Sequence, residues 1–300
     1  MPPHKCDWRR VSEVCYNLIM KIWRYWVSET RPLTSVSASG SSCVCNFRVT
    51  AGSDRSEEEA RARLEDIFQE LANWNARQCG DEDVAEHRRR LNELHGYFED
   101  GEYARPICER VLSELDSCNV VTRNRYGAEV LNSSDTCFVD IDHVRRTFGE
   151  VVRGWVGGPA RPEDVLTARI EALLSRAENR DLGFRLYKTR AGWRLIVDGE
   201  GLEPGSPRMR SLFKLFNADY TYERLCISQQ CYRARLTPKP WRIGMQRFAE
   251  EDPSWLERYE SAREGHAVCR FVCERGRSRF GSAVQYHDER TGAAESLPLG

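Results

Sequence analysis

Asp140 and Asp142 are the residues of this sequence best spaced to do chemistry together. They lie in Phe138-Val139-Asp140-Ile141-Asp142-His143, at the end of an apolar run from Thr136 to Ile141 that reads as a β-strand. Side chains alternate along a strand, so residues two apart share a face. Both carboxylates then point the same way, with Val139 and Ile141 turned into the core. Carboxylates held this close repel each other, and a bridging divalent cation relieves the repulsion. The plainer alternative is a strand that ends in acidic residues, with Asp142 or Ser134 capping the next helix.

The charge downstream favours the chemical reading. The formal net charge is only −1, but Gly183 to Arg247 carries 13 Lys/Arg against 5 Asp/Glu, whereas Asp54 to Asp116 carries 18 acidic against 9 basic residues. One face of the basic half is therefore expected to meet an anion. Phe184 to Val197 alternates as a hairpin with a turn near Arg190-Ala191-Gly192, and bears Arg185, Lys188, Arg190 and Arg194. Arg224 to Thr237 alternates again and is expected as a strand pair or one long bent strand, with Arg233 and Arg235 set against Tyr232, Ala234 and Leu236. Pro238 to Gly244 is a stiff basic exit loop containing Lys239. Magnesium or manganese on Asp140 and Asp142, beside Arg190, Arg194, Arg233, Arg235 and Lys239, would suit nucleotide phosphate chemistry. The metal neutralises part of the triphosphate and the guanidinium groups hold the remaining charge.

The order of these segments resembles the catalytic core of the archaeo-eukaryotic primase superfamily, including its primase–polymerase branch. Asp140-Ile141-Asp142 looks like its metal-holding first motif. Lys188 to Arg194 falls where that superfamily has a Ser-rich, Gly-containing turn ending in a nucleotide-binding His, with Lys188 in place of the Ser and Arg194 in place of the His. Tyr232 to Lys239 is similar to its later basic strand, which ends in a small hydroxyl residue and a Lys near the triphosphate. For the third carboxylate, Asp219 and Glu223 are the candidates. The resemblance covers roughly Arg123 to Gly244, and implies an RRM-like or palm-like core and nucleotidyl transfer. The segment is also similar to an uncharacterised bacterial family with the Gly192-Trp193-Arg194 hairpin and the strand from Arg233 to Arg242.

A second reading is a non-catalytic module for single-stranded nucleic acid. Tyr187, Trp193, Tyr232 and Trp241 would stack bases between the cations, and the aspartates would be structural. A weaker third is zinc on His266, Cys269, Cys273 and His287, whose spacing fits no compact knuckle. Thus the partners expected are nucleotides or single-stranded nucleic acid.

The elements that must position these residues give an α+β fold: a mostly antiparallel sheet with helices, preceded by an α-helical N-terminal region. Residues 1–53 are expected to hold an amphipathic helix, Val11 to Glu29, and a Ser/Gly-rich linker from Thr30 that includes Cys43-Val44-Cys45. Residues 54–118 are expected to form a helical accessory region: Ser56 to Gln78 after a capping box, Asp83 to Phe98, and Arg105 to Leu115. Residues 119–250 are the α+β core, with a strand at Val120 to Arg123 and helices at Val144–Val156, Pro162–Arg180 and Pro207–Phe216. Residues 251–300 are a helix from Ser254 to Arg263 and a weakly patterned tail. Twelve cysteines spread along the chain, with no apolar leader before them, read as buried thiols in a reducing, cytoplasmic setting. The apolar run Cys15 to Val27 is too short, and too interrupted by Lys21 and Arg24, to span a bilayer.

Overall fold

A computed structural model describes residues 20–36, 42–76, 89, 98–99, 102–103, 106–155, 157–158, 161–248, 252–277 and 280–300. The chain forms two compact units, Lys21–Arg110 and another containing Val111–Gly300. Among the described residues no helix is long and apolar enough to cross a membrane.

In the smaller unit, β1 (Tyr25–Val36) and β2 (Ser42–Ser53) form an antiparallel hairpin. This overturns the expected helix at its Glu29 end and the expected linker; residues 11–19 lie outside the described residues. The stretch is rich in Val and Thr, whose branched side chains suit a pleated sheet. Cys43 and Cys45 belong to β2. Helix α1 (Glu57–Ala76) forms as its sequence predicts, with Ser56 Oγ accepting from Glu59 N at 3.2 Å. Ala60, Leu64, Ile67, Phe68 and Leu71 are buried, and all but Ala60 share one core with Val49 and Ala51 of β2. Most of the expected helix Asp83–Phe98 lies outside the described residues; Phe98 itself is in β3 (Phe98–Glu99), which pairs with β4 (Glu102–Tyr103).

The expected helix Arg105–Leu115 is instead a chain bridge at Ile107 followed by β5 (Arg110–Glu114). Asp116 explains this. Its carboxylate accepts from Cys118 N at 2.8 Å and from Asn119 Nδ2 at 2.9 Å, making a turn that lays β5 along β6 (Asn119–Arg123). The larger unit therefore begins near Val111, not at residue 119.

That unit holds two four-stranded sheets. One has the order β11-β7-β6-β5, with β7 Glu129–Ser133 and β11 Tyr232–Arg235. The other has the order β12-β9-β10-β8, with β8 Cys137–Ile141, β9 Gly183–Thr189, β10 Trp193–Asp198 and β12 Cys269–Gly276. β8 and β9 both run antiparallel to β10 between them. Helices α2 (Phe148–Trp155) and α3 (Pro162–Leu174) connect β8 to β9, so β8, the helices, β9 and β10 make a split βαβ arrangement. The fold is α+β with antiparallel sheets and seven helices among the described residues.

Helix α4 (Pro207–Phe216) starts where Ser206 Oγ accepts from Met209 N and ends at Asn217, whose φ is 54°. Helix α5 (Tyr220–Gln229) replaces the first part of the expected strand pair. Leu225 and Ile227 do alternate, but Tyr222, Cys226 and Gln229 recur at helical spacing and Asp219 supplies a cap. Helix α6 (Trp255–Arg263) follows its predicted bounds, and the weakly patterned tail contains β12 and α7 (Ser282–Thr291). Ala283, Val284, His287 and Thr291 bury one face of α7. Cys137, Cys226 and Cys269 are buried free thiols; burial pushes Cys137 up to about 12 and Cys269 up to about 11.

Candidate functional site

The two sheets meet where the ends of β8, β10 and β11 converge. Tyr222 of α5 joins them: its hydroxyl lies 3.2 Å from the carbonyl oxygens of both Phe138 and Arg233, and accepts from Arg233 N at 3.1 Å. Gly192, just before β10, is required here. A Cβ on it would stand 2.1 Å from the Ile141 carbonyl oxygen and 2.9 Å from Asp142 Cα. Only a glycine lets the hairpin turn pass this close to the acidic end of β8.

Asp140 and Arg194 lie directly opposite each other in the β8–β10 register. Arg194 Nε donates to Asp140 Oδ1 at 2.8 Å and Nη2 to Oδ2 at 3.4 Å. Arg194 is 2% exposed. Burial works to lower its pKa, but Asp140 overrides this and the guanidinium is held above its ordinary value. Its Nη1 donates to the Arg235 carbonyl at 3.1 Å and meets His287 Nε2 at 3.3 Å. The expectation that Arg194 faces phosphate is therefore corrected: it is an internal counter-ion, because the cross-strand register puts it against a carboxylate.

The chain of contacts continues inward. A guanidinium can only donate, so His287 Nε2 accepts and the imidazole proton sits on Nδ1. Nδ1 then donates to Asp288 Oδ1 at 2.9 Å, where Tyr187 Oη also donates at 2.7 Å. Arg185 Nη1 reaches Asp288 Oδ2 at 2.6 Å. Burial pushes the Asp288 carboxyl up, but His287, Tyr187 and Arg185 together hold it below its usual range. His287 is fully buried, and burial lowers its pKa below 6.5 despite Asp288. The unfolded imidazole thus takes up a proton first as pH falls. Stability contributed here is complete above about pH 6.5 and declines as pH drops toward the lower folded value. A His287→Gln variant, whose amide can accept and donate without titrating, is expected to flatten the decline in melting temperature between about pH 7 and pH 5. An unchanged slope would remove His287 as its source.

At the mouth of the site, Asp142 is exposed and makes no hydrogen bond or ion pair among the described residues. Around it are more cations than carboxylates. Arg235 is half-buried on the same side of β11 as Arg233, its Nε is enclosed without a partner, and it has no ion pair among the described residues. Burial, then the neighbouring Arg194, lower its pKa. Lys239 is lowered by burial and then by Arg235 and Arg242, with Asp142 opposing. Arg242 is lowered by burial and then by Arg190, again with Asp142 opposing. Arg190 Nη1 donates to the Arg242 carbonyl at 3.0 Å, which brings the hairpin turn to the short 3₁₀ helix Pro240–Arg242. Lys239 Nζ lies 5.5 Å from the Trp241 ring centroid.

Other expectations are corrected. Asp219 Oδ1 accepts from Thr221 N at 2.6 Å and caps α5, so its carboxylate serves the helix rather than the acidic pair. Glu223 pairs with Arg210 at 3.7 Å. Thr237 is buried, its hydroxyl bonded to Glu129 N at 2.9 Å and to Tyr259 Oη at 2.7 Å. Of the four rings expected to stack bases, Tyr187, Tyr232 and Trp193 are buried and Trp241 is exposed. The zinc set does not assemble: His287 is engaged by Arg194 and Asp288, His266 Nδ1 lies against the Ala262 carbonyl, and Cys273 lies beside Thr167. Among the described residues no group of three or more His, Cys, Asp or Glu side chains is arranged to hold a metal ion.

Arg242, Tyr222 and Asp288 are site residues that the sequence reading passed over, and His287, expected as a zinc ligand, belongs to the site through Arg194 and Asp288 instead. Arg242 was legible as a second cation in the exit loop, after Lys239. The helical spacing of Ala283, Val284, His287 and Thr291, with Gly292 after it, was the signal for α7.

No protein-family profile, curated protein or solved structure matches this chain.

Proposed function

We propose that this chain binds nucleotide phosphate, or the phosphates of single-stranded nucleic acid, at the cationic mouth formed by Arg190, Arg235, Lys239 and Arg242. The observation that carries the reading is Arg235: a half-buried guanidinium with an enclosed, unpartnered Nε beside other cations. Such a group costs free energy unless an anion completes it. Arginine forks suit phosphate oxygens, and Lys239 and Arg242 are lowered first by burial and then by the neighbouring arginines, so an anion at the mouth would relieve part of the strain. The core would be a degenerate palm-like scaffold, for which the split βαβ arrangement speaks.

Binding is favoured over nucleotidyl transfer because Asp140 is already neutralised by Arg194. The protein's own side chains do not fit a resident magnesium or manganese site. Asp142 favours a second reading, in which the metal arrives with the nucleotide: it is an exposed, unpaired carboxylate at the mouth, and magnesium is often held by one carboxylate plus substrate phosphates.

Calorimetric titration with a nucleoside triphosphate, with and without manganese, separates these outcomes. Arg235→Met and Lys239→Met are each expected to weaken metal-free binding about tenfold or more, and Asp142→Asn to leave it intact or stronger. Metal-free binding unchanged in both cation variants would sink the phosphate site. Manganese-dependent binding lost in Asp142→Asn would establish the second reading.

A further inference from the structure

Helix α2 is amphipathic the wrong way round. Its Glu150 faces the protein, where it holds Arg169 of α3 through Nε at 2.8 Å and Nη2 at 2.8 Å. Arg169 is buried and also donates to the carbonyls of Arg145 and Leu215, which ties the start of α2 to α3 and the end of α4. The helix start is closed by a reciprocal cap: Thr147 N donates to Glu150 Oε2 at 2.7 Å, and Glu150 N to Thr147 Oγ1 at 3.3 Å. Its apolar side faces outward. Phe148 is 83% exposed, Trp155 80% and Val152 38%. These positions, i, i+4 and i+7, form one ridge, with the two rings about 10 Å apart along the axis. Large rings this exposed are costly in water unless something covers them.

Arg145 and Arg146, exposed and without side-chain partners among the described residues, immediately precede the ridge. Cations at a helix N-terminus oppose its dipole, so they do not serve the helix itself. We propose that the Phe148–Val152–Trp155 ridge, with Arg145 and Arg146, is a docking surface for an anionic lipid membrane. A convex ridge needs no complementary groove when its partner is a lipid surface. Phenylalanine and tryptophan enter the headgroup–acyl boundary, while arginines meet anionic headgroups. Single-stranded nucleic acid suits the ridge less well. The aliphatic Val152 separates the rings, and among the described side chains the cations beside the ridge lie at one end, whereas a stacking tract interleaves rings and cations.

The test is co-sedimentation of the full chain with phosphatidylcholine vesicles, with and without phosphatidylserine, beside binding to a single-stranded oligo-dT. Three proteins are compared: wild type, Phe148→Ser/Trp155→Ser and Arg145→Gln/Arg146→Gln. All four substitutions are at exposed side chains, and circular dichroism melting checks the fold. The wild type is expected to sediment with the phosphatidylserine vesicles and not with phosphatidylcholine alone. Each double variant should weaken this about tenfold or more. The proposal is overturned if the wild type does not sediment, or if the ring variant binds the vesicles as well as the wild type. Oligo-dT binding that disappears in the ring variant, with no vesicle binding by the wild type, would assign the ridge to nucleic acid instead.

Discussion

Replacing Arg194 with methionine is expected to cost about 3 kcal/mol of unfolding free energy, among the largest single-side-chain effects in the larger unit. The substitution keeps the apolar stem and removes a donor from three acceptors: the Asp140 carboxylate, the Arg235 carbonyl and His287 Nε2. His287 lies in the interior and loses this partner outright, and the Arg235 carbonyl loses it too. Asp140 is 37% exposed and recovers some hydration, which keeps the expected loss below the upper end for a buried pair. Urea unfolding of Arg194→Met beside Lys239→Met measures it, the latter expected within about 0.5 kcal/mol of wild type. A loss under about 1 kcal/mol for Arg194→Met would mean that the ion pair behaves like a surface pair and that its guanidinium is available to ligands.

Gly192→Ala is expected to be as damaging by a different route. Its three closest neighbours would be main-chain atoms: the Ile141 oxygen at 2.1 Å, Asp142 Cα at 2.9 Å and the Asp142 oxygen at 3.0 Å. No flexible side chain can give way, so the turn and the end of β8 must separate. Overpacking against main chain is expected to cost about 3 kcal/mol. The displacement falls on Asp142 and on the turn bearing Arg190, so nucleotide affinity should drop in protein that still folds. Gly265, where a Cβ would meet nothing within 4 Å, is the control, and its alanine variant should retain both stability and binding. Wild-type behaviour of Gly192→Ala in both measurements would show that the hairpin turn does not rest on β8.

The parts of the fold that could be read in advance are those with a strong period and a clear terminator. Helix α1 has its cap and stripe, α4 has Ser206-Pro207 at its start, and the β9–β10 hairpin alternates on both sides of its turn. The β1–β2 hairpin was hidden because its Ser and Thr content resembles a linker, although branched residues pack well on a pleat. Helix α5 was hidden by two residues whose spacing happened to alternate. The candidate site was legible as a set of residue types but not as a set of partners. Asp140, Asp142, Arg190, Arg235 and Lys239 do gather near one place. What separated Arg194 from them was the strand register, which a one-residue slip would have reversed. The role of Asp219 was decided by the helix it starts, and the partnership of Arg194 with His287 by a contact spanning 93 residues of sequence.

The ion pair at Asp140 also alters how the mouth behaves at a distance. With Asp140 paired to Arg194, Asp142 is the carboxylate that faces Arg190, Arg235, Lys239 and Arg242 without an ion pair of its own among the described residues. The surplus is positive, and it acts before any contact is made. A polyanion approaching this end of β8 is drawn in over roughly one screening length, about 8 Å at physiological ionic strength. Added salt then slows arrival far more than it hastens departure, because the partly buried Arg235 is screened less than the open solution in front of it. On the proposed phosphate-binding reading, the internal arginine would set the rate of encounter without itself touching the anion.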